Sequence, residues 1–283
     1  MKQSVELSHE RTSFLEDLAT EIWSAHGSRT PTDVGQIVED ADISLDYDDY
    51  SDVFDGMIEH QNGRFHIYCN LALCGGQNTG RARFTLAHEL GHYYIDEHRS
   101  ALESGLAPSH AYNADRPSEL RIEREADCFA SALLMPSVAF RRETQGRPFG
   151  LQAILDAAST FQVSRQSAAK RYVRLSGLPC AMVFFRHSGS PWWDLSPALE
   201  EGGVTGVVRK DKPVVRGSAT DQAQNSTDNG KIFETTTTAS YWFWNITDGS
   251  ARDVVLKEQA IRLGGYGVLT LLHVADPRSW KSH

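Results

Sequence analysis

Apolar positions near the start of the chain recur at helical spacing. Phe14, Leu15, Leu18, Ile22 and Trp23 fall on one face of a helix expected over 10–26. A second short helix is expected from Pro31 to about Glu39. The period then changes. ISLDY from Ile43, FDGMIEH from Phe54 and RFHIYCN from Arg64 read as strands, and Gln61-Asn62-Gly63 supplies a hairpin turn between the last two. The acidic run from Asp42 to Asp55 reads as a solvated edge. A Gly-rich loop, LCGGQNTG from Leu73 to Gly80, precedes a helix that contains FTLAHELGHYYI. His98 to Ser118 is polar and irregular. A further helix is expected from about Ser118 to Met135, ending where Pro136 cannot continue it. Two more are expected between 150 and 177, broken at Gln162-Val163-Ser164.

After Gly177-Leu178-Pro179 the texture becomes β-branched and aromatic. CAMVFFRH, VTGVVRK, YWFWNI and GYGVLTLLHV are strand-like, with a Ser/Thr/Asn/Gly-rich loop from Gly217 to Gly230 among them. The expected organisation is α+β in two domains, 1–178 and 179–283, since 283 residues are long for one core. No internal repeat is visible. In YWFWN, strand alternation would put Tyr241 and Phe243 on one side and Trp242 and Trp244 on the other.

Composition narrows the classes. Forty per cent apolar and 23% charged residues are those of a soluble globular protein. The net charge of −9 argues against a broad nucleic-acid-binding surface. That charge resides wholly in the first 179 residues, with 17 basic against 26 acidic, whereas 180–283 is neutral. No apolar run approaches the ~20 residues that span a bilayer, and the N-terminus has no apolar segment of signal-peptide type. Cys69, Cys74, Cys128 and Cys180 contain no Cys-x-x-Cys pair, which suits a reducing cytoplasm without a disulfide framework or a thiolate zinc knuckle.

His88 and His92 are four residues apart, so one helix face carries both imidazoles to one metal ion. Glu89 lies one residue round, near enough to act on water without being a ligand. This H-E-x-x-H spacing is that of zinc peptidases. Two third ligands are on offer. His98 has metzincin spacing, but that pattern needs Gly where this chain has Ile95, and a β-branched residue resists the sharp turn. The better one is Glu123 on RIEREADCFASALLMP. Asp127, four residues on, shares its face and can accept the other ring N–H of a ligating histidine. A solvated helix face is the bland alternative for this pair. It leaves Gly91 unexplained, since a mid-helix glycine costs about 1 kcal/mol relative to Ala unless a second helix needs the space.

RFTLAHELGH followed by EREADCFASALLMP resembles the ImmA/IrrE family of zinc metallopeptidases over roughly residues 10–178. The resemblance implies a gluzincin-like fold, a small sheet with helices carrying the motif. It implies Zn2+ held by His88, His92 and Glu123, with Glu89 as general acid/base and Asp127 where many members have Asn. Family members cleave a helix-turn-helix repressor encoded beside them, switching on a stress, mobile-element or defence programme. IrrE-like members and the CapP proteins of antiphage (CBASS) operons carry a GAF-like sensor domain where this chain has 179–283. For a CapP-like member, the implied substrate is a CapH-like repressor and the implied activator single-stranded DNA.

Other residues invite a role. Tyr112, His110, Arg171 and Tyr172 are candidate donors to the oxyanion of a tetrahedral intermediate. Cys74, just before the metal helix, is a candidate inhibitory zinc ligand, because zinc favours sulfur; the plain alternative is a free loop thiol. Ile154 to Leu178 resembles a helix-turn-helix, with Arg165, Lys170, Arg171 and Arg174 available to phosphate, although packing within the peptidase fold is the favoured account, since the motif alone is permissive. Trp192, Trp193, Trp242 and Trp244, with the basic stretch Arg209-Lys210-Asp211-Lys212, could stack single-stranded nucleic acid or simply form a core. Two functions are therefore carried forward. One is a cytoplasmic zinc endopeptidase acting on a repressor. The other is a non-proteolytic regulator that binds the repressor or DNA and uses the metal as a structural staple.

Overall fold

Ser8 opens the first helix, accepting from the Arg11 N–H at 3.2 Å, and α1 runs His9–Ala25. The computed structural model describes residues 7–106, 110–112, 121–187, 189–207, 214–244, 253–276 and 279–280. Leu15, Ala19 and Trp23 form the buried face of α1. Phe14 was expected there too, but it is half-exposed under the Arg11 guanidinium, 5.1 Å from its ring centroid. Helix α2 (Val34–Asp40) follows, then strands β1 (Ser44–Asp48), β2 (Gly56–Gln61) and β3 (Arg64–Asn70). Asn62 and Gly63 take φ of 52° and 78°, the paired left-handed turn that suits a tight hairpin. Next come α3 (Leu71–Cys74), α4 (Gly80–Tyr94), α5 (Asp96–Glu103), β4 (His110–Tyr112), α6 (Arg121–Leu134), α7 (Ser137–Thr144) and α8 (Leu151–Phe161).

Two compact units are present. The first comprises Met1–Gln145 with Ala157–Ser164. Its sheet has the order β1-β3-β2-β4, with β1 parallel and β2 antiparallel to β3. Helix α4 packs on β2, β3 and α6, and α6 packs on α1. Ile58, Ile67, Leu86, Leu90, Phe129 and Leu133 are wholly or almost wholly buried between these layers. The metal-motif helix is thus held on three sides by core, which fixes its roll.

The second unit comprises Gly146–Asp156 with Arg165–His283. Its elements are α9 (Arg165–Arg174), β5 (Cys180–Phe185), β6 (Trp192–Leu195), α10 (Pro197–Glu201), β7 (Gly206–Val207), α11 (Ala219–Asn225), β8 (Ile232–Thr238), α12 (Ala239–Trp242), β9 (Phe243–Trp244), β10 (Val255–Arg262) and β11 (Val268–Val274). The five-stranded sheet has the antiparallel order β6-β5-β11-β10-β8. Helix α11 packs on β10, β8 and β11, and α9 on β5 and β6. This grouping differs from the expected division at 178/179, because Arg174 of α9 pairs with Asp194 of β6 at 2.5 Å and with Glu200 at 3.2 Å. Arg174 is thereby committed to carboxylates and not to phosphate, and Arg171 is buried. Arg165 and Lys170, the other two cations of this segment, are exposed.

YWFWN is not an alternating strand. Tyr241 and Trp242 end the short α12 and Phe243 begins β9, so Trp242 and Phe243 enter one buried cluster with Leu256, Leu272 and Trp280. Trp193 is partly buried against this cluster, and Trp192 lies on Phe184 with centroids 5.6 Å apart. The basic stretch Arg209–Lys212 lies outside the described residues, as does the Trp244 side chain. No described helix is long and apolar enough to cross a membrane.

Candidate metal centre

Thr79 caps α4, its hydroxyl accepting from the Ala82 N–H at 3.1 Å. From there the helix carries His88, Glu89 and His92 into the core, each at most 2% exposed. On the facing helix Glu123 is also buried. The reason the two helices meet closely is Gly91: a β-carbon there would stand 3.0 Å from Ala126 Cα and 3.3 Å from its Cβ. The close helix approach anticipated from a mid-helix glycine is present at this contact.

The two imidazoles point their Nε2 atoms at one place, 3.2 Å apart. Glu123 meets them, with Oε2 3.2 Å from His88 Nε2 and Oε1 3.6 Å from His92 Nε2. All three offer a ligand atom within 4.8 Å of one another. Behind His88, Nδ1 lies 3.0 Å from Asp127 Oδ1. The donor set fits a divalent ion of zinc type: two neutral nitrogens, one carboxylate, little competing solvent, and a carboxylate behind one ring to fix its tautomer. Burial opposes charge on His88, but its hydrogen bonds to Asp127 and Glu123 outweigh it and raise its pKa to about 10.

Glu89 differs from these residues. It is fully buried, and neither carboxylate oxygen has a hydrogen-bond partner among the described residues. Burial, with the charge of Glu123 adding and that of His88 opposing, pushes it up to about 8. A buried carboxylate without partners costs stability unless something else occupies the space before it. No described residue gives the Glu89 carboxylate a structural partner.

Other expected residues are placed elsewhere. His98 is no third ligand: its Nε2 lies 3.1 Å from Glu125 Oε2, and Ile95 takes ordinary extended backbone angles at the start of α5. Its ring does stand against His92, with centroids 5.1 Å apart. Cys74 is not among the converging ligand atoms; its Sγ meets Cys69, the Asp55 carbonyl and Thr85 Oγ1 at 3.9, 3.8 and 3.7 Å. The reason is that α3 coils the preceding residues into a turn, so Cys74 is a buried wall residue and not a loop thiol. Tyr172 Oη accepts from the Gly150 N–H at 3.4 Å, and its ring lies on Phe149; it and Arg171 belong to the second unit. The side chains of His110 and Tyr112 lie outside the described residues.

Two contributors escaped the sequence reading. Gly56 lies against Glu89: a β-carbon there would meet Glu89 Oε1 at 2.8 Å and run into Thr85 Cγ2. An isolated glycine inside a strand pattern, FDGM, was the available signal. Glu125 gathers Arg11 NH2 at 2.6 Å, Arg121 Nε at 2.7 Å and His98. Its signal was weaker, since a second acidic residue on a charged helix usually faces water.

Residues 58–172 match the model of the family described as the IrrE N-terminal-like domain, Peptidase_M78. No curated protein sequence matches the chain. Among solved structures, a Mycobacterium tuberculosis transcriptional regulator is similar with a TM-score of 0.58 and 17% identity, covering 95% of this chain and 89% of that one. At that identity the likeness concerns the fold.

Proposed function

We propose, from the match of residues 58–172 to the IrrE N-terminal-like domain, that this chain is a zinc endopeptidase of the ImmA/IrrE kind that cleaves a helix-turn-helix repressor. The observation that carries the reading is the pairing of two features. His88, His92 and Glu123 converge on one point, and beside them Glu89 keeps both oxygens without partners in a buried setting. A structural staple has no use for the second feature.

Bound zinc would supply a Lewis acid that polarises the scissile carbonyl and acidifies water. His88 and His92 would hold the ion through Nε2, and Glu123 through its carboxylate. Asp127 accepts from His88 Nδ1 and keeps that ring's Nε2 free to ligate. Glu89 takes a proton from the attacking water at Oε1 or Oε2 and delivers it to the leaving amine. Its elevated pKa suits both halves of that exchange. Gly56 stands against its carboxylate, where a β-carbon would come within 2.8 Å of Oε1.

The second unit serves in this reading as a GAF/PAS-like sensor. The antiparallel sheet, with α11 and α9 packed on it, supports that assignment. A cytoplasmic site of action, a CapH-like substrate in an antiphage operon and activation by single-stranded DNA complete the proposal. The test incubates zinc-loaded protein with the repressor encoded next to it, with and without single-stranded DNA. Cleavage abolished by Glu89→Gln supports the reading. Full cleavage by that variant, or repressor release without cleavage, replaces it with a binding regulator.

A further inference from the structure

Strand β3 delivers Cys69 at its end, and the one-turn helix α3 brings the chain back so that Cys74 faces it. The two sulfurs lie 3.9 Å apart, with Cys69 fully buried and Cys74 4% exposed. Their separation in sequence hid a pair. Cys74 also touches Thr85 Oγ1 and the Asp55 carbonyl. These contacts lead to the metal centre: Thr85 lies one turn before Glu89 on α4, and Gly56, next to Asp55, lies directly against Thr85 and the Glu89 carboxylate. The dithiol thus backs the wall formed by Thr85, Asp55 and Gly56, of which Gly56 stands against the Glu89 carboxylate.

The two thiols are chemically unequal. Cys69 donates its S–H toward Cys74, and that contact, with the Thr85 hydroxyl and Arg81 assisting, lowers the Cys74 pKa despite burial. The same interaction and burial raise that of Cys69. Cys74 is the less buried of the two, 4% exposed against 0% for Cys69, so a small oxidant meets it first, and Cys69 stands 3.9 Å away in position to resolve it.

We propose that Cys69 and Cys74 close to a reversible disulfide on exposure to hydrogen peroxide, and that closure loosens the wall beside Glu89. In the first step the Cys74 thiolate attacks peroxide; an S–O bond forms, the O–O bond breaks, and hydroxide leaves to give a sulfenic acid. In the second, Cys69 sulfur attacks Cys74; the S–S bond forms, the S–O bond breaks, and water carries off the remaining proton. One peroxide is reduced by two electrons and two thiols are oxidised. The sulfurs must approach from 3.9 Å to a bond of about 2.05 Å. Cys74 can make that move because it ends a one-turn helix followed by Gly75 and Gly76, both at positive φ. The move withdraws it from Thr85 and Asp55. In a reducing compartment such a disulfide is transient, as a sensor requires. Loss of cleavage on oxidation would rest on the proposed role of Glu89; disulfide formation and its structural effect do not.

The experiment treats the full-length, zinc-loaded protein with hydrogen peroxide, traps free thiols by alkylation, and maps peptides by mass with and without dithiothreitol. A Cys69–Cys74 cross-link that the reductant reverses is expected, with Cys128 and Cys180 recovered as thiols. Amide exchange over 80–89 is expected to accelerate about tenfold in the oxidised protein, as local opening becomes easier. In Cys69→Ala, oxidation should stop at a trappable sulfenic acid on Cys74; should that variant not fold, the wild-type map alone decides the chemistry. Recovery of Cys69 and Cys74 as free thiols, or of Cys74 as sulfinic acid, overturns the proposal. A disulfide that leaves exchange over 80–89 unchanged overturns its link to the metal centre.

Discussion

Gly91 and Ala126 are in backbone contact: a β-carbon on Gly91 would stand 3.0 Å from Ala126 Cα and 3.3 Å from its carbonyl oxygen. This one approach sets the distance between the helix carrying His88 and His92 and the helix carrying Glu123. Gly91→Ala would gain about 1 kcal/mol of helix propensity. Overpacking against backbone costs about 1–3 kcal/mol. The net expectation is a lower thermal midpoint, together with less than one zinc per chain after exhaustive dialysis. A midpoint equal to or above that of the parent would show that the helices separate without cost.

Asp127 accepts from His88 Nδ1 across 3.0 Å while its own side chain remains partly exposed. Removing it should leave the fold intact and weaken zinc. Asp127→Ala is expected to lower affinity about 10–100-fold, measured by competition with a chelator of known affinity. Glu123→Ala should lose the ion altogether. Stoichiometric zinc in the latter would return His98 to consideration as a ligand.

The parts of this architecture that were legible in advance share a physical cause. Asn62-Gly63 specifies a hairpin because few other residues accept two successive positive φ angles. Helices α4 and α6 show in the apolar spacing around their charged faces, and the i,i+4 pairs His88/His92 and Glu123/Asp127 follow from that periodicity. What stayed hidden depends on tertiary context. Strand β10 (VLKEQAIR) buries Glu258 and Ala260 in alternation with Lys257 and Gln259, so its inward face lacks the β-branched signature. Glu258 is tolerated there because Thr220 donates to it through both N–H and Oγ1 at 2.8 Å. Strand β8 (IFETTTT) reads as an extension of a polar loop. Cys69 and Cys74 meet only because α3 folds back, which a Gly-rich loop reading cannot foresee.

Glu125 is 3% exposed and is shared by Arg11, Arg121 and His98. Arg11 comes from α1 and is the partner whose loss leaves the most buried charge uncompensated. Breaking a buried pair costs about 3–5 kcal/mol; with Arg121 remaining, roughly 2 kcal/mol is the expectation for Arg11→Ala. Urea unfolding of the zinc-free protein measures it directly. A change under about 0.5 kcal/mol would mean that the pair behaves as a surface bridge.

His273 provides a pH-dependent test confined to the second unit. It is 8% exposed, its Nδ1 meets the Val274 carbonyl at 3.2 Å, and its ring lies against Phe149. Burial lowers its pKa. The Val274 carbonyl opposes that shift, Lys257 directly across the strand pair adds to it, and Glu234 opposes it. The folded protein therefore holds His273 neutral at a pH where the unfolded chain, titrating near 6.5, already binds a proton. Stability from this group is present above about pH 6.5 and is lost as pH falls toward the lower folded value. Unfolding followed by tryptophan fluorescence should show the parent weakening from about pH 7.5 to about pH 5.5, a window that brackets the unfolded histidine pKa. His273→Gln should flatten that dependence. An unchanged slope in the variant would mean that other histidines carry it and that His273 titrates alike in both states.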